Sequence, residues 1–225
     1  KNVYAFITPS EFLKKKLSLN GFEEKRIHCI PTFTASKTTI GEQQIGSYGL
    51  YFGRVTEEKG VETVIKAYEK LPEYTVKIMG DDTTDEAKRL KKYVENHKMK
   101  NVEFLGFKSG AELENVIKGA RFTLIPSIWY DNLPNTALES FQYSKPVIAS
   151  NIGSLPELVI DGENGYLFKP SNVEDLIRKI KMLDDDTLVK KMGQASRKRL
   201  ESRFAPQTHY EDLMKIFNEA VKSRK

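Results

Sequence analysis

The first side chains in the sequence with an evident chemical use are two cations on a short, glycine-bounded loop. It runs Gly53-Arg54-Val55-Thr56-Glu57-Glu58-Lys59-Gly60 and follows the apolar run Leu50-Tyr51-Phe52. Arginine offers a planar fork for phosphate and lysine a mobile point charge. Glycine lets the backbone approach a ligand closely. Arg54 and Lys59 together suit a diphosphate, each charge-assisted bond contributing about 1.5–3 kcal/mol. A surface turn with incidental charges fits these residues equally well. The loop is not a Walker A loop, because the Gly-Lys-Ser/Thr ending is absent, and the chain has no G-x-G-x-x-G dinucleotide fingerprint.

A second loop is richer in chemistry: Pro126-Ser127-Ile128-Trp129-Tyr130-Asp131-Asn132-Leu133-Pro134-Asn135-Thr136-Ala137-Leu138-Glu139. Asn132 or a neighbour is expected to cap the helix that follows, with Pro134 in its first turn. Free N–H groups at such a helix start, helped by the helix dipole, make an anion site. Asp131 just before the helix and Glu139 about one turn inside it can both face the same crevice, where carboxylates accept hydrogen bonds from sugar hydroxyls. The plainer alternative makes Asp131 a cap and Glu139 a surface glutamate. A third region, Ser150–Glu157 and then Asp161–Phe168, reads as structural turns. His28, His97 and His209 are placed on a strand, a helix and a helix, and read as structural or solvated.

Stepping from these loops to their supports, short apolar runs alternate with amphipathic helices. Strands are expected at Leu50–Phe52, Val76–Met79, Val102–Leu105, Phe122–Ile125 and Pro146–Ala149. Helices carry Val61, Val64, Ile65 and Tyr68, then roughly Glu86–His97, then Leu113, Val116 and Ile117, then Thr136–Tyr143. Such alternation means βαβ units and a parallel sheet, and runs without polar alternation mean strands covered on both faces. The fold class is therefore α/β, a Rossmann-like parallel sheet flanked by helices, with further helices beyond Pro170. Ligands of such sheets bind at the carboxyl ends of the strands, where both loops lie. Before the sheet, Val3–Ile7 and Ile27–Ile30 read as strands around a helix capped by Ser10 and ended by Asn20-Gly21. The polar stretch Thr32–Ser47 is the best linker candidate.

The composition narrows the class. With 225 residues, 39% hydrophobic and 30% charged, the chain is a folded protein of one large or two small domains. No stretch approaches the roughly 18 uninterrupted apolar residues of a membrane span. A single cysteine, Cys29, excludes an internal disulfide or a cysteine zinc cluster and fits a reducing compartment. The net charge of +5 is mild and its signs are interspersed. The cluster Arg197, Lys198, Arg199 and Arg203 reads as a solvated helix face; an anionic membrane is the alternative, and no nucleic-acid signature supports that partner.

Taken together, the order Phe-Gly-Arg … Glu-Lys-Gly, Pro-Ser … Asp-x-x-Pro-x-x-x-x-Glu, Pro-Val-Ile-Ala-Ser, Pro-Glu-Leu-Val and Gly-Glu-Asn-Gly-Tyr-Leu-Phe resembles the GT-B glycosyltransferases of family 4. The resemblance is to their C-terminal, nucleotide-sugar-binding domain and runs from about Leu50 to the end. It implies two parts: residues 1–45 as a remnant of the N-terminal acceptor domain with its linker, and 46–225 as the donor-binding domain. It implies a donor domain that transfers a sugar with retention from a UDP- or GDP-sugar to a hydroxyl of a sugar, lipid-linked sugar or glycan, without a metal or other cofactor. Its setting would be polysaccharide or glycoconjugate synthesis in the cytoplasm, with peripheral contact at the inner membrane face as a further expectation. Without the rest of the acceptor domain, little or no transfer is expected.

The resemblance also assigns residues. Gly53, Arg54 and Lys59 would meet the donor diphosphate, and Glu139 would hold the ribose hydroxyls. Asp131 stands where the family usually has glutamate and would touch the donor sugar, making Arg54, Lys59 and Asp131 the catalytic set. Asn132-Leu133-Pro134-Asn135-Thr136 replaces the usual Gly-Phe-Gly/Pro stretch, the amides of Asn135 and Thr136 meeting phosphate or sugar. Gly80, Phe107 and Lys108 match where the base rests. The Asp131 departure leaves a rival reading, a nucleotide-binding module on the same fold that no longer transfers.

Overall fold

The computed structural model describes residues 3–34 and 44–223; most of the expected linker lies outside them. In the first segment, strands β1 (Phe6–Thr8) and β2 (Ile27–Cys29) pair in parallel around helix α1 (Glu11–Leu19). Ser10 begins α1 as expected, its Oγ accepting from the Leu13 N–H at 3.2 Å. The first strand starts later than its apolar run suggests, leaving Val3 and Tyr4 exposed.

The second segment alternates strand and helix in the expected order. It runs β3 (Tyr48–Phe52), α2 (Val61–Glu69), β4 (Thr75–Met79), α3 (Asp85–Asn96), β5 (Val102–Gly106), α4 (Gly110–Lys118), β6 (Ala120–Ile125) and α5 (Asn135–Gln142). It continues with β7 (Val147–Ser150), α6 (Leu155–Leu158), β8 (Gly165–Phe168), α7 (Val173–Lys181), α8 (Asp186–Arg203) and α9 (Pro206–Lys222). Among the described residues this makes a six-stranded parallel sheet in the order β5-β4-β3-β6-β7-β8. The chain starts in the middle, moves out one way, then returns to build the other half. Its topological switch point lies between β3 and β6.

Successive strand residues serve opposite faces of the sheet, as the pleat requires. Tyr51, Ile78, Leu124 and Ile148 join Val64, Ile65 and Tyr68 of α2 on one face. Leu50, Phe52 and Met79 meet Ile117 of α4 on the other. Beside them Ile125, Val147 and Ala149 meet Leu138 and Phe141 of α5 and Leu200 of α8. Two buried faces explain why these strands read as unbroken apolar runs. Tyr166 and Phe168 are buried in the same core as Tyr51 and Ile148.

The C-terminal helices reach back to the first segment. The Thr34 N–H donates to the Phe204 carbonyl at 3.3 Å, and His209 Nδ1 donates to the Pro31 carbonyl at 2.8 Å. In the basic cluster on α8, Arg197 binds Glu201 and the Gln142 carbonyl and Arg199 binds the Glu157 carbonyl, while Lys198 and Arg203 are exposed. Among the described residues no helix is long and apolar enough to cross a membrane.

Candidate functional site

At the switch point, the loops leaving β3 and β6 fold over the sheet and enclose a cavity of about 380 Å³. Gly53, Arg54, Lys59, Asp131, Pro134, Asn135, Thr136 and Glu139 all line it. A neighbouring cavity of about 300 Å³ shares Gly53, Arg54, Thr136 and Glu139 and adds Gly80, Asp81, Phe107 and Lys108. Of the expected residues, Asn132 and Leu133 line neither. Asn132 faces solvent, and Leu133 packs on the cluster around Ile125 and Leu138, anchoring the loop.

Two glycines permit the loops to meet. At Gly60 the backbone is left-handed, with φ +66°, and an added Cβ would stand 2.1 Å from the Pro126 carbonyl oxygen. At Gly80 an added Cβ would stand 1.8 Å from the Gly53 oxygen. Only a residue without a side chain tolerates either approach. The Ile128 N–H then donates to the Glu58 carbonyl at 3.0 Å, stitching the two loops together. Inside the β3 loop, the buried Tyr51 hydroxyl donates to the Arg54 carbonyl. Burial holds that phenol above its ordinary range, so it remains a neutral donor.

The carboxylate of Asp131 is held at both oxygens. Lys59 Nζ donates to Oδ1 at 2.5 Å, and Ser127 Oγ donates to Oδ2 at 2.5 Å. The pair is four-fifths shielded from solvent at both side chains, where an ion pair is screened less than on an open surface. Asp131 is therefore not the cap of α5. Neither is Asn132: the N-cap is Pro134, and no side chain caps the helix. Proline is suited to the helix start by its fixed φ. The first-turn N–H groups of Asn135 and Thr136 have no acceptor among the described residues. They are ready-made anion donors at the positive end of the helix dipole. The helix itself is pinned to the sheet, since Thr123 Oγ1 of β6 donates to Ser140 Oγ at 2.8 Å and Ser140 Oγ donates to the Thr136 carbonyl at 2.6 Å.

Glu139 is partly buried and has no hydrogen bond or ion pair among the described residues. Burial raises its carboxyl above the usual range, because removing water disfavours the charged form. Arg54 is exposed at the cavity wall and likewise has no ion pair. Among the described residues the site thus holds one free cation, one paired cation, open helix amides and one unsatisfied carboxylate. That set can bind an anion at one end and hydroxyl groups at the other. Among the described residues no group of three His, Cys, Asp or Glu side chains is placed to hold a metal ion. Sequence reasoning missed what Tyr51 and Ser127 do. Both are local partners: Ser127 is a hydroxyl four residues before Asp131 on the same loop, and Tyr51 a phenol three residues before Arg54.

Comparison with known proteins places this geometry among others. The family described as glycosyl transferases group 1 matches residues 39–199. An uncharacterised glycosyltransferase of Methanocaldococcus jannaschii is 30% identical over 174 residues, covering 77% of this chain and 48% of the relative. Glycogen synthase of Mycobacterium tuberculosis is 31% identical over 186 residues, covering 78% of this chain and 42% of the relative. The chain thus spans about half the length of the curated relatives it matches. A glycosyltransferase structure from Rickettsia africae superposes with a TM-score of 0.88 at 21% identity, over 97% of this chain and 64% of that one. The Anabaena protein HepE, solved in complex with UDP-glucose, superposes with a TM-score of 0.83 at 20% identity, over 98% of this chain and 64% of that one. These likenesses establish the fold as the Rossmann-like one of GT-B glycosyltransferases. With the family match spanning well over half of its residues, the chain belongs to the glycosyl transferases group 1 family.

Proposed function

We propose that residues 46–225 form the donor-binding domain of a retaining family 4 glycosyltransferase, and that residues 1–45 belong to its acceptor domain. The observation that carries this reading is the cavity at the switch point, where Arg54, Lys59 and the open amides of α5 face the unpartnered Glu139. The donor is a nucleoside-diphosphate sugar, UDP- or GDP-linked. Its diphosphate lies by Gly53, Arg54, Lys59 and the amides of Asn135 and Thr136, and its ribose hydroxyls on Glu139. Its base lies in the second cavity, with Phe107, Lys108 and Gly80. UDP-glucose in the HepE complex supports this class of donor, and the glycogen synthase relative supports a sugar hydroxyl as acceptor.

Breaking the sugar–phosphate bond builds negative charge on the departing diphosphate. Arg54, Lys59 and the α5 amides stabilise that charge where it develops, which lowers the barrier. This makes the assigned mechanism independent of a metal. The leaving phosphate helps deprotonate the incoming hydroxyl. Asp131 contacts the donor sugar with the lone pairs left by Lys59 and Ser127, since each carboxylate oxygen accepts about two hydrogen bonds. The rival reading, a module that binds nucleotide but no longer transfers, rests on that same residue. It requires full-length protein to show nucleotide binding and no turnover with any donor.

The whole protein would act in polysaccharide or glycoconjugate synthesis in the cytoplasm, on acceptors that include lipid-linked sugars at the membrane face. A thermal-shift panel of nucleoside diphosphates and their sugars tests the donor assignment, because a ligand that binds only the folded state raises its melting temperature. One base family is expected to raise the Tm. No shift with any member at millimolar concentration would contradict the assignment.

A further inference from the structure

The contacts that α1 makes with the second segment lead to the loop that carries Asp131. The Glu157 carboxylate accepts from the Glu11 N–H at 2.8 Å and the Phe12 N–H at 2.7 Å. These are first-turn donors of α1 that have no partner within the helix. A carboxylate set on them, at the positive end of the dipole, makes a strong directional joint. Glu157 lies on α6, whose N-cap is Ser154. Ser154 donates to the Asp131 carbonyl through its hydroxyl at 2.6 Å and through its N–H at 3.4 Å. Helix α1 also touches the same loop directly. The Phe12 ring centroid lies 5.0 Å from that of Tyr130, and Lys16 Nζ stands 5.1 Å above the Tyr130 ring. Residue 130 is thus held by α1 itself and residue 131 by α1 through α6.

We propose that Glu157 is a positioning residue: by joining α6 to α1 it holds the loop that presents Asp131 to the donor sugar. This rests on the donor-site reading above. Glu157 lines neither cavity at the switch point, so it acts through Ser154 and the loop, not on the ligand. The joint crosses from the first segment to the second. A movement between them is therefore transmitted to Asp131, while Arg54 and Glu139, carried by other loops and helices, stay in place. Diphosphate and ribose contacts should then be indifferent to Glu157, and the sugar contact should depend on it.

The test compares the wild-type chain with Glu157→Ala, Glu157→Gln and Phe12→Leu, at a temperature where circular dichroism shows each to be folded. Trp129 is the sole tryptophan and its side chain is exposed next to Tyr130. Its fluorescence anisotropy decay therefore reports loop motion with no ligand present. Glu157→Ala is expected to free that motion, with Glu157→Gln, which keeps one acceptor oxygen, lying between it and wild type. Phe12→Leu should also loosen the loop, through the direct contact. A decay unchanged in both Glu157 variants overturns the joint, whatever the chain binds.

The second readout is affinity for UDP and UDP-glucose, and for GDP and GDP-glucose. Glu157→Ala should lower the sugar nucleotide to diphosphate affinity ratio by about three- to tenfold, the scale of losing one ordinary hydrogen bond to the sugar. Affinity for the diphosphate itself should stay within about twofold, and Glu157→Gln should partly restore the ratio. Equal loss on both ligands, or no loss, overturns the positioning role. If the wild-type chain binds neither pair, the donor-site reading fails and the sugar role of Glu157 with it, while the anisotropy decay still decides whether Glu157 holds the loop.

Discussion

Glu139 is the residue whose chemistry is least provided for by the protein alone. It is a partly buried carboxylate, raised above its usual range by burial, with no partner among the described residues. A raised folded-state value means that Glu139 favours the fold most below the ordinary carboxylate range, and that this contribution is lost as pH rises through the raised value. Ribose hydroxyls donate to the ionised form. Ribonucleotide affinity should therefore be full above the raised value and fall as pH drops through it. Glu139→Gln should flatten that dependence, and Glu139→Ala should cost about tenfold or more, as for one hydrogen bond to a charged group. Titrations of ribonucleotide and deoxyribonucleotide over pH 4–8 check this; equal losses on the two would remove the ribose role. At this scale the sequence pointed to candidates, because Arg54, Lys59 and Asp131 sit on loops at strand ends and Glu139 sits in the helix that follows one of them. It did not show that Lys59 binds Asp131, since that pair joins residues 72 apart through the meeting of two loops at Gly60.

The elements were legible where local and tertiary preferences agree. Ser10 starts α1 and short apolar runs became strands because both faces of the sheet are buried. The start of α5 was misjudged by its cap, since proline, which cannot cap with its side chain, takes the N-cap in place of Asn132. Lys145 illustrates what element reading cannot see. In sequence it is a charge beside Pro146; in the fold it is 1% exposed. Its ammonium donates to the carbonyls of Gln44, Lys118 and Ala120 at 2.6, 2.6 and 2.7 Å. It ties the residues entering β3 to the start of β6. Lys145→Met keeps the length but strands these carbonyls, which should cost about 3 kcal/mol and lower the Tm by about 6–12 °C for a domain of this size. Calorimetric melting measures it, and an unchanged Tm would mean that the three bonds add nothing net.

Across the whole molecule, alternation of strand and helix was enough to state the fold class but not the strand order, because nothing local says that the chain returns to the centre after β5. The order that results creates the switch point, and with it the cavity. The match covers about half of each relative, and from this we expect the 225 residues to bind a donor but transfer little sugar. Product analysis with radiolabelled donor checks that, and robust transfer by the purified chain would contradict it. The central claim is narrower: the cations at the switch point bind a diphosphate. Its most direct measurement is calorimetric titration of a nucleoside diphosphate and the matching nucleoside into wild type, Arg54→Ala and Lys59→Ala. Arg54→Ala is the cleaner variant, because Lys59→Ala also leaves Asp131 without its cation. The account predicts that each substitution weakens the diphosphate by about ten- to a hundredfold, from 1.5–3 kcal/mol per charge-assisted bond, and leaves the nucleoside nearly unchanged. Equal losses for diphosphate and nucleoside would contradict it.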